Sequence, residues 1–439
     1  MGSEWEKVAL GQLADICTGK LDSNHAVEKG RFPFFTCAPT PLLIDDIAFD
    51  CKAVLLAGNN ANAVFHVNRY NGKFNAYQRT YVITSKNESI LDLDYLYYRL
   101  KTLSQILESY SQGTATKFLT MKILSPLEIQ LPPLLEQKAI AHILGSLDDR
   151  IELNRRMNET LEAMAQAFFK SWFVDFDPVI DNAQALGKEI PEDLLERAAA
   201  RATLGDKRKP LPEEIRALFP NEFTDSDDLG WIPMGWKAKT VNDEIDTVGG
   251  GTPSTKDPSF WEGGVHAFCT PKDMSNMTSK ILTHTDRLLT NKGVAKISSG
   301  QLPERTVLMS SRAPIGYLAI NNVPVSVNQG IIAMKTSSRY GEMFLVCWAQ
   351  ANMERIKERA NGSTFLEISK KNFRLIPFLV PNADLLKFFN KITEPVLSRI
   401  IACTKNSQEL STLRDTLLPK LLSGELRIPD AEKMVEELA

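Results

Sequence analysis

A long internal duplication is the feature that most constrains the fold of this chain. The stretch GTATKFLTMKILSPLEIQLPP, residues 113–133, aligns without gaps with GSTFLEISKKNFRLIPFLVPN, residues 362–382. Segments nearer the start of each half also correspond, so that Gly19 aligns with Gly250. Because repeated sequences fold as repeated structural units, we expect two globular halves of similar fold.

Each repeat continues into a long predicted helix. Residues 140–172 carry apolar side chains at alternating spacings of four and three, the heptad pattern of a coiled coil. Asn154 and Asn158 interrupt this apolar seam, and they align with Cys403 and Ser407 of the second repeat. A polar pair in such a seam costs stability but selects one alignment against the partner helix. We therefore expect the two helices to pack on each other with these four residues setting the register. The alternative is that each helix packs only on its own globular half.

Two features interrupt this organisation. Pro395 lies inside the second predicted helix, and because proline is tolerated only in a first turn, we expect a break near Glu394. Residues 176–234, between the halves, are acidic and proline-bearing and too long for a simple turn. They are predicted to form a partly helical surface linker.

Composition narrows the class of protein. The 439 residues are 43% hydrophobic and 24% charged, which is typical of soluble globular proteins. The sequence contains neither an apolar run of membrane-spanning length nor an export signal pattern, so we expect a cytoplasmic protein with no membrane partner. The six cysteines are scattered and are expected to be reduced thiols. The net charge is only −3, but residues 235–382 hold 18 Lys and Arg against 12 Asp and Glu.

The sequence carries no recognised motif of catalysis or of metal binding. The nucleotide-binding loop, the zinc-protease helix motif and the hydrolase nucleophile motif are absent, and the five histidines are isolated. The glycine-rich VGGGTPS, residues 248–254, lacks the lysine of a phosphate-binding loop and is predicted to be a tight turn. We therefore expect no catalytic residue and no metal site.

Polar loops between predicted strands are the remaining candidates for function. Asn and Gln can pair bidentately with adenine, and Arg with guanine, in the DNA major groove. A single residue of this kind is more often a turn or cap residue, but the recurrence of polar loops in both halves favours DNA binding. The candidate DNA-binding residues are Asn59, Asn60, Asn62, Lys73, Asn75, Gln78, Arg79, Thr114 and Lys117 in the first half, and Ser311, Arg312, Asn328, Gln329, Ser363 and Thr364 in the second.

Four stretches, in this order, resemble the specificity subunit of type I restriction–modification systems. They are LPPLLEQKAIAHILGSLDDRIELNRRMNETLEAMAQAFFKSWFVDFDPV, LGWIPMGW leading into GGGTPSTKDPSFWEGG, LMSSRAPIGYLAINNVPVSVNQGI, and LLPKLLSGELRIP. The resemblance implies an α+β, non-catalytic DNA-binding subunit. Two mixed α/β target recognition domains would be separated by two long antiparallel helices, a coiled coil, in an internal pseudo-twofold repeat. Each recognition domain would recognise one half of a bipartite DNA sequence.

The resemblance and the repeat together predict the domain boundaries. The predicted segments are a first target recognition domain, 1–132; the first long helix, 133–175; the acidic linker, 176–234; a second target recognition domain, 235–382; and the second long helix with a C-terminal tail, 383–439.

The resemblance also implies partners. Double-stranded DNA and two methyltransferase (modification) subunits are expected, and restriction subunits could join them to form an ATP-dependent endonuclease. S-adenosylmethionine, ATP and Mg are then expected on those partners, with no cofactor in this chain. We expect the methyltransferase subunits to dock on outward helix faces that include Phe169, Trp172 and Phe173. The alternative is that these aromatic residues close the core under a recognition domain.

A helix of about 40 residues is about 60 Å long, so helix length would set the DNA spacer between the half-sites.

Two other functions stay open. A two-repeat protein-binding scaffold would show an exposed apolar patch at the polar loops. An enzyme with an unrecognised active site would show a buried carboxylate or histidine cluster in a deep pocket.

Overall fold

In a computed structural model, the chain folds into two units. The structure describes residues 5–60, 64–112, 117–205, 210–362 and 366–437. The first unit comprises Met1–Glu152 and Gln408–Ala439, and the second comprises Leu153–Ser407. The two longest helices, α5 (Leu134–Phe173) and α15 (Ala383–Ser423), each contribute one half to each unit.

The first unit combines a mixed sheet with helices. Its strands are β1 (Glu6–Ala9), β2 (Ala14–Thr18), β3 (Phe32–Phe35), β4 (Leu42–Ile44), β5 (Phe49–Ala57), β6 (Asn59–Asn60), β7 (Val67–Ala76), β8 (Thr80–Ser85), β9 (Lys117–Phe118) and β10 (Glu128–Leu131). Its helices are α1 (Leu10–Leu13), α2 (Leu93–Thr102), α3 (Ser104–Tyr110), α4 (Met121–Leu124), the start of α5, the end of α15 and α16 (Ile428–Glu436).

The second unit contains the linker helices and the second mixed sheet. Its strands are β11 (Phe223–Thr224), β12 (Ile232–Pro233), β13 (Lys237–Thr240), β14 (Thr247–Gly249), β15 (His266–Cys269), β16 (Ile281–Leu282), β17 (Arg287–Leu289), β18 (Val307–Ser310), β19 (Leu318–Asn321), β20 (Val325–Val327), β21 (Ile331–Met334) and β22 (Pro377–Val380). Its helices, besides parts of α5 and α15, are α6 (Asp177–Ala185), α7 (Glu192–Thr203), α8 (Glu213–Arg216), α9 (Val241–Glu244), α10 (Pro271–Ser275), α11 (Asn291–Ala295), α12 (Glu342–Ala351), α13 (Met353–Glu358) and α14 (Lys370–Arg374).

The two units repeat one strand order. In the first, a sheet runs β2-β8-β5-β7-β3-β4. In the second, a five-stranded sheet runs β14-β21-β18-β19-β16, and a separate three-stranded sheet runs β20-β15-β17. The counterpart of the long β7 is divided between β19 and β20, and β16 is an additional edge strand. The short antiparallel pair β1–β10 recurs as β13–β22. The predicted repeat of two mixed α/β halves is confirmed.

A glycine at the same place in each half allows the same close approach. A Cβ atom on Gly19 would lie 1.7 Å from the carbonyl oxygen of Ala76, and one on Gly250 would lie 1.6 Å from that of Val327. No side chain fits at these distances, so both positions require glycine. This explains why both aligned positions, 19 and 250, hold glycine.

The long helices pack on each other within each unit, and they run antiparallel. In the first unit, Leu144 and Leu147 share a core with Leu410, Leu417 and Leu421, from the far end of the second helix. In the second unit, the end of α5 shares a core with the beginning of α15, as the packing of Phe169 on Phe389 illustrates. The predicted helix pairing is confirmed, because seam residues of both helices share these cores, while Phe168 of the first seam stays 43% exposed.

The two seam asparagines face polar side chains of α15, but not the two that were predicted. The Asn154 side-chain amide donates to the Oδ1 of Asn406 at 2.9 Å, and that of Asn158 donates to the Oγ1 of Thr404 at 3.1 Å. Cys403 is buried and its Sγ lies 3.6 Å from the Sδ of Met157, while Ser407 makes neither of these bonds. The repeat alignment pointed to Cys403 and Ser407, whereas the hydrogen bonds go to the adjacent residues Thr404 and Asn406.

Pro395 does not break the second helix, so that prediction is wrong. Helix α15 is continuous from Ala383 to Ser423. An interior proline costs about 3 kcal/mol, but Phe389 and Leu397 on either side of it are buried in the core of the second unit. Their burial stabilises the helical path through the proline.

The linker is partly helical, as predicted, but it is not only a surface segment. Val179, Ile180 and Ala183 of α6 are fully buried in the core of the second unit. The Asp177 carboxylate beside them accepts from the guanidinium of Arg197 at 2.8 Å and forms an ion pair with that of Arg201 at 2.9 Å. The linker therefore contributes an apolar face and an ion-pair network to this unit.

The predicted docking aromatics are also buried. Phe169, Trp172 and Phe173 are 2%, 3% and 5% exposed. They pack in the core with Phe344 and Phe389, so the expectation that they form an outward surface is wrong. Reading the helix in heptads cannot tell a face covered by a partner helix from one covered by the chain's own globular domain.

Candidate nucleic-acid interface

The first unit brings three polar segments together at one tip of its sheet. Asn59 and Asn60 form β6, which pairs antiparallel with Lys117 and Phe118 of β9. The amide of Gly58 donates to the carbonyl of Arg79 at 2.7 Å, which ties the turn before β8 to the same tip. Amide, ammonium and guanidinium groups therefore gather on neighbouring backbone segments.

Local hydrogen bonds hold this tip. The carbonyl of Gly58 accepts from the amide of Leu119 at 2.8 Å. The Tyr81 hydroxyl donates to the carbonyl of Leu119 at 2.9 Å, and burial raises the pKa of this hydroxyl. The Sγ of Cys37 lies 2.8 Å from the Oδ1 of Asn59, so this thiol from the β3–β4 connection orients the amide.

The other first-half candidates occupy different surroundings. Gln78 is exposed, and its side-chain amide donates to Asp22 at 3.4 Å. Lys73 is exposed on β7 opposite Asp50 of β5. Asn75 is 3% exposed, donates to the carbonyl of Asp46 and accepts from its neighbour's amide, so its burial gives it a structural role and it does not face the surface. Asn62 and Thr114 lie outside the described residues.

The second unit repeats the tip with different side chains. Arg312 pairs with Glu367 through a β-bridge, in the place where Asn59 pairs with Phe118 in the first unit. The amide of Ser311 donates to the carbonyl of Gly330 at 2.8 Å, and its carbonyl accepts from Ile368 at 3.0 Å. These two bonds match those of Gly58 in the first unit.

Arg312 is the candidate that the second tip exposes. Its side chain is 37% exposed, and its guanidinium lies 3.6 Å from the carboxylate of Glu367, itself 45% exposed. This long pair between partly solvated groups is weak. The guanidinium is therefore positioned by Glu367 without being sequestered by it.

The remaining second-half candidates divide into buried and exposed residues. Ser311 is 2% exposed, so its hydroxyl does not face the surface and its role is in the backbone pairing. Asn328 accepts the amide of Gly330 at 2.9 Å. Gln329 is exposed, and its Oε1 accepts from the hydroxyl of Thr252 at 2.7 Å. Ser363 and Thr364 lie outside the described residues.

Thr252 and Cys37 were not among the site residues predicted from the sequence. Thr252 follows Gly250, whose close approach to β20 brings the hydroxyl to Gln329. In the first unit, the aligned Gln78 likewise contacts Asp22, which follows Gly19, at 3.4 Å. The contact of Cys37 with Asn59 spans 22 positions and has no sequence signal.

The described part of the chain shows no cluster of metal-binding type. It contains no group of three or more His, Cys, Asp or Glu that could hold a metal ion. All six cysteines are free thiols, as predicted. None of the described helices is long and apolar enough to cross a membrane. What the tips offer is hydrogen-bonding groups suited to base edges and phosphates.

Comparison with known families agrees with this geometry. The model of the type I restriction modification DNA specificity domain matches residues 2–163 and again residues 233–409. The chain is 31% identical over 332 residues to the type I restriction enzyme HindI specificity subunit of Haemophilus influenzae, covering 70% of this chain and 71% of that one. It is 36% identical over 165 residues to the EcoDI specificity subunit of Escherichia coli, covering 38% and 36%.

A solved structure shares the fold. The S subunit of a type I restriction–modification system from M. genitalium superposes with a TM-score of 0.58 over 95% of this chain and 96% of that chain, at 18% sequence identity.

Proposed function

The chain belongs to the family of type I restriction–modification specificity subunits, and from this premise we propose that its two halves each recognise one half of a bipartite DNA target. It is the non-catalytic DNA-recognition subunit, with two recognition domains. We retain residues 1–132 and 235–382 as these domains. The observation that carries the proposal is the paired tip, in which one backbone scaffold presents Asn59 in one unit and Arg312 in the other.

The difference between the tips supports recognition of two unlike half-sites. The first tip is rich in side-chain amides, which suit adenine, while the second presents a guanidinium, which suits guanine. Gln78 and Gln329 lie at matching positions. Each shares a side-chain hydrogen bond with a residue shortly after the aligned glycine, Asp22 in the first unit and Thr252 in the second. Lys117 and Arg79 add positive charge near the first tip and suit phosphate contacts.

We propose that two methyltransferase subunits dock on the long helices and carry S-adenosylmethionine, and that restriction subunits, where they join, carry ATP and Mg. Because Phe169, Trp172 and Phe173 are buried, a different surface of the helices must form the docking site. Leu153, Met164 and Phe168 are 61%, 46% and 43% exposed and lie along one stripe of α5. An exposed apolar stripe of this kind suits a helix of a partner. The assembly would act in the cytoplasm.

The experiment that tests this function is co-expression with a type I methyltransferase subunit, followed by a methylation map of genomic DNA. We expect methylated adenines confined to one bipartite sequence with a constant spacer. Methylation without a bipartite consensus, or no complex with the methyltransferase, would contradict the proposal.

A further inference from the structure

A groove in the first unit lies beside the β1–β10 pair and helices α2 to α4. Its volume is about 680 Å³. Leu103 and Leu127 form the apolar floor of the groove. Ile106 and Tyr110 lie at its rim and are 41% and 60% exposed. Such exposed apolar side chains beside a groove are typical of a binding surface.

The repeat places a matching groove in the second unit. There, Trp348, Arg355 and Leu379 occupy the positions of Arg99, Ile106 and Gln130. This cavity measures only about 350 Å³.

The chain itself covers the second-unit groove. Leu229 and Ile232 of the linker form part of its wall together with Phe176, and Ile232 is 4% exposed. By contrast, among the described residues, those that line the first-unit groove all lie between Lys7 and Gln130. One repeat therefore shows what kind of segment fits, and in the other the described residues leave the same site uncovered.

The first-unit groove is cationic. An amino group of Arg99 donates to Gln130 at 2.8 Å, while its buried Nε has no hydrogen-bond partner within the described structure. Burial lowers the pKa of Arg99. Lys122 is exposed and, among the described residues, forms no ion pair. Lys7 pairs with Glu128 at 3.4 Å, so positive charge is in excess.

The linker segment that covers the second-unit groove is acidic. Residues 221–233, NEFTDSDDLGWIP, contain Glu222, Asp225, Asp227 and Asp228 and no Lys or Arg. Its aliphatic residues Leu229 and Ile232 follow directly. Charge complementarity therefore favours a segment of the same type for the cationic groove of the first unit.

We propose that the first-unit groove docks an acidic β-hairpin segment of a partner protein, because residues 223–224 pair with residues 232–233 in the segment that covers the second-unit groove. Two aliphatic side chains three residues apart would cover the apolar floor, as Leu229 and Ile232 do in the second unit. Carboxylates preceding them would face Arg99 and Lys122. None of the groove residues is a candidate DNA contact, so this interaction is separate from base recognition.

The test uses the full chain and a fluorescent peptide of residues 221–233 as the probe, with binding followed by fluorescence anisotropy. We expect saturable one-to-one binding. Lys122→Glu combined with Ile106→Asp should weaken it at least about tenfold. Both positions are exposed, so the variant should fold, and a thermal melt checks this. A peptide in which Asn replaces Asp at 225, 227 and 228 should bind the wild-type chain as weakly as the original peptide binds the double variant.

The matched control is Lys371→Glu, the counterpart of Lys122 in the second unit, which should leave affinity unchanged. An equal loss in that variant would mean that the peptide exchanges with the linker, and it would overturn the proposal. So would the absence of saturable binding up to about 1 mM. Concentration-dependent dimerisation that Ile106→Asp abolishes would assign the groove to a second copy of this chain instead.

Discussion

At the scale of single residues, the same backbone position carries different chemistry in the two halves. Asn59 and Arg312 sit at equivalent places in the paired tips, each bridged to the segment that precedes a long helix. A shared scaffold with exchanged side chains allows specificity to change without a change of fold. These two residues are therefore the sharpest probes of base recognition.

We predict that Arg312→Ala relaxes one position of the second half-site at a cost of about 1–3 kcal/mol in binding to the wild-type target. The first half-site should keep its sequence. A methylation map of the variant measures both. Asn59→Ala is the matched control and should alter only the first half-site, while uniform weakening across all sequences would identify a phosphate contact.

A second residue-scale prediction concerns Asp177. Burial alone would raise the pKa of its carboxyl, but hydrogen bonds from Arg197 and Ser171 and the charge of Arg201 outweigh it and lower the pKa. Because the native pKa lies below the unfolded one, this stabilisation is present at neutral pH. It is lost as the pH falls through the native pKa.

Asp177→Asn should therefore lower the free energy of unfolding at pH 7 by about 1.5–3 kcal/mol, as expected for lost hydrogen bonds to charged groups. The difference from wild type should shrink below about pH 4. Urea unfolding at several pH values measures it. The exposed Asp228→Asn should stay within about 0.5 kcal/mol of wild type throughout. A difference that does not depend on pH would rule out the ion-pair explanation.

At the scale of elements, the first long helix uses its surface in two ways. One face is buried against α15 and the globular core, while Leu153, Met164 and Phe168 stay exposed along another. Exposed apolar residues aligned over several turns carry a solvation cost that a partner would relieve. The helix is thus both a packing element and a docking candidate.

We predict that Leu153→Asp with Met164→Asp abolishes co-purification of the methyltransferase subunit and leaves the thermal unfolding midpoint almost unchanged, because both side chains already face solvent. Leu195→Asp, at a 51% exposed position of the linker helix α7, is the control. A complex that survives the double substitution would move the docking surface elsewhere.

At the scale of the whole molecule, the duplication defines the function. Helix α5 contributes to both units, with Leu134–Glu152 in the first and Leu153–Phe173 in the second. We propose that this continuity couples the two recognition domains, so that helix length sets the spacer between the half-sites.

Inserting about four residues, close to one helical turn, between Leu153 and Leu161 should lengthen the spacer and leave both half-site sequences unchanged. The methylation map again gives the result. A same-length substitution of the exposed residues of that segment by alanine and glutamate, with Asn154 and Asn158 kept, is the control for helix content. An unchanged spacer in the insertion variant would exclude the helix as the determinant of length.

The sequence by itself determined the repeat, the long helices and the kinds of polar group at the tips. Heptad spacing and strand alternation are local patterns, and Gly19 with Gly250 marks a backbone approach that only glycine permits. The aligned Gln78 and Gln329 were also visible without coordinates. The chemistry of Asn62, Thr114, Ser363 and Thr364 stays a prediction.

Tertiary structure alone decided which of those groups face solvent and which partners they meet. Asn75 and Ser311 are buried, Phe169 closes a core, and Pro395 lies in a continuous helix. Each outcome depends on packing between segments far apart in the chain, whose burial energy outweighs local preference. For the same reason, only the folded chain revealed that its linker covers the groove of one repeat, whereas the described residues leave the matching groove of the other uncovered.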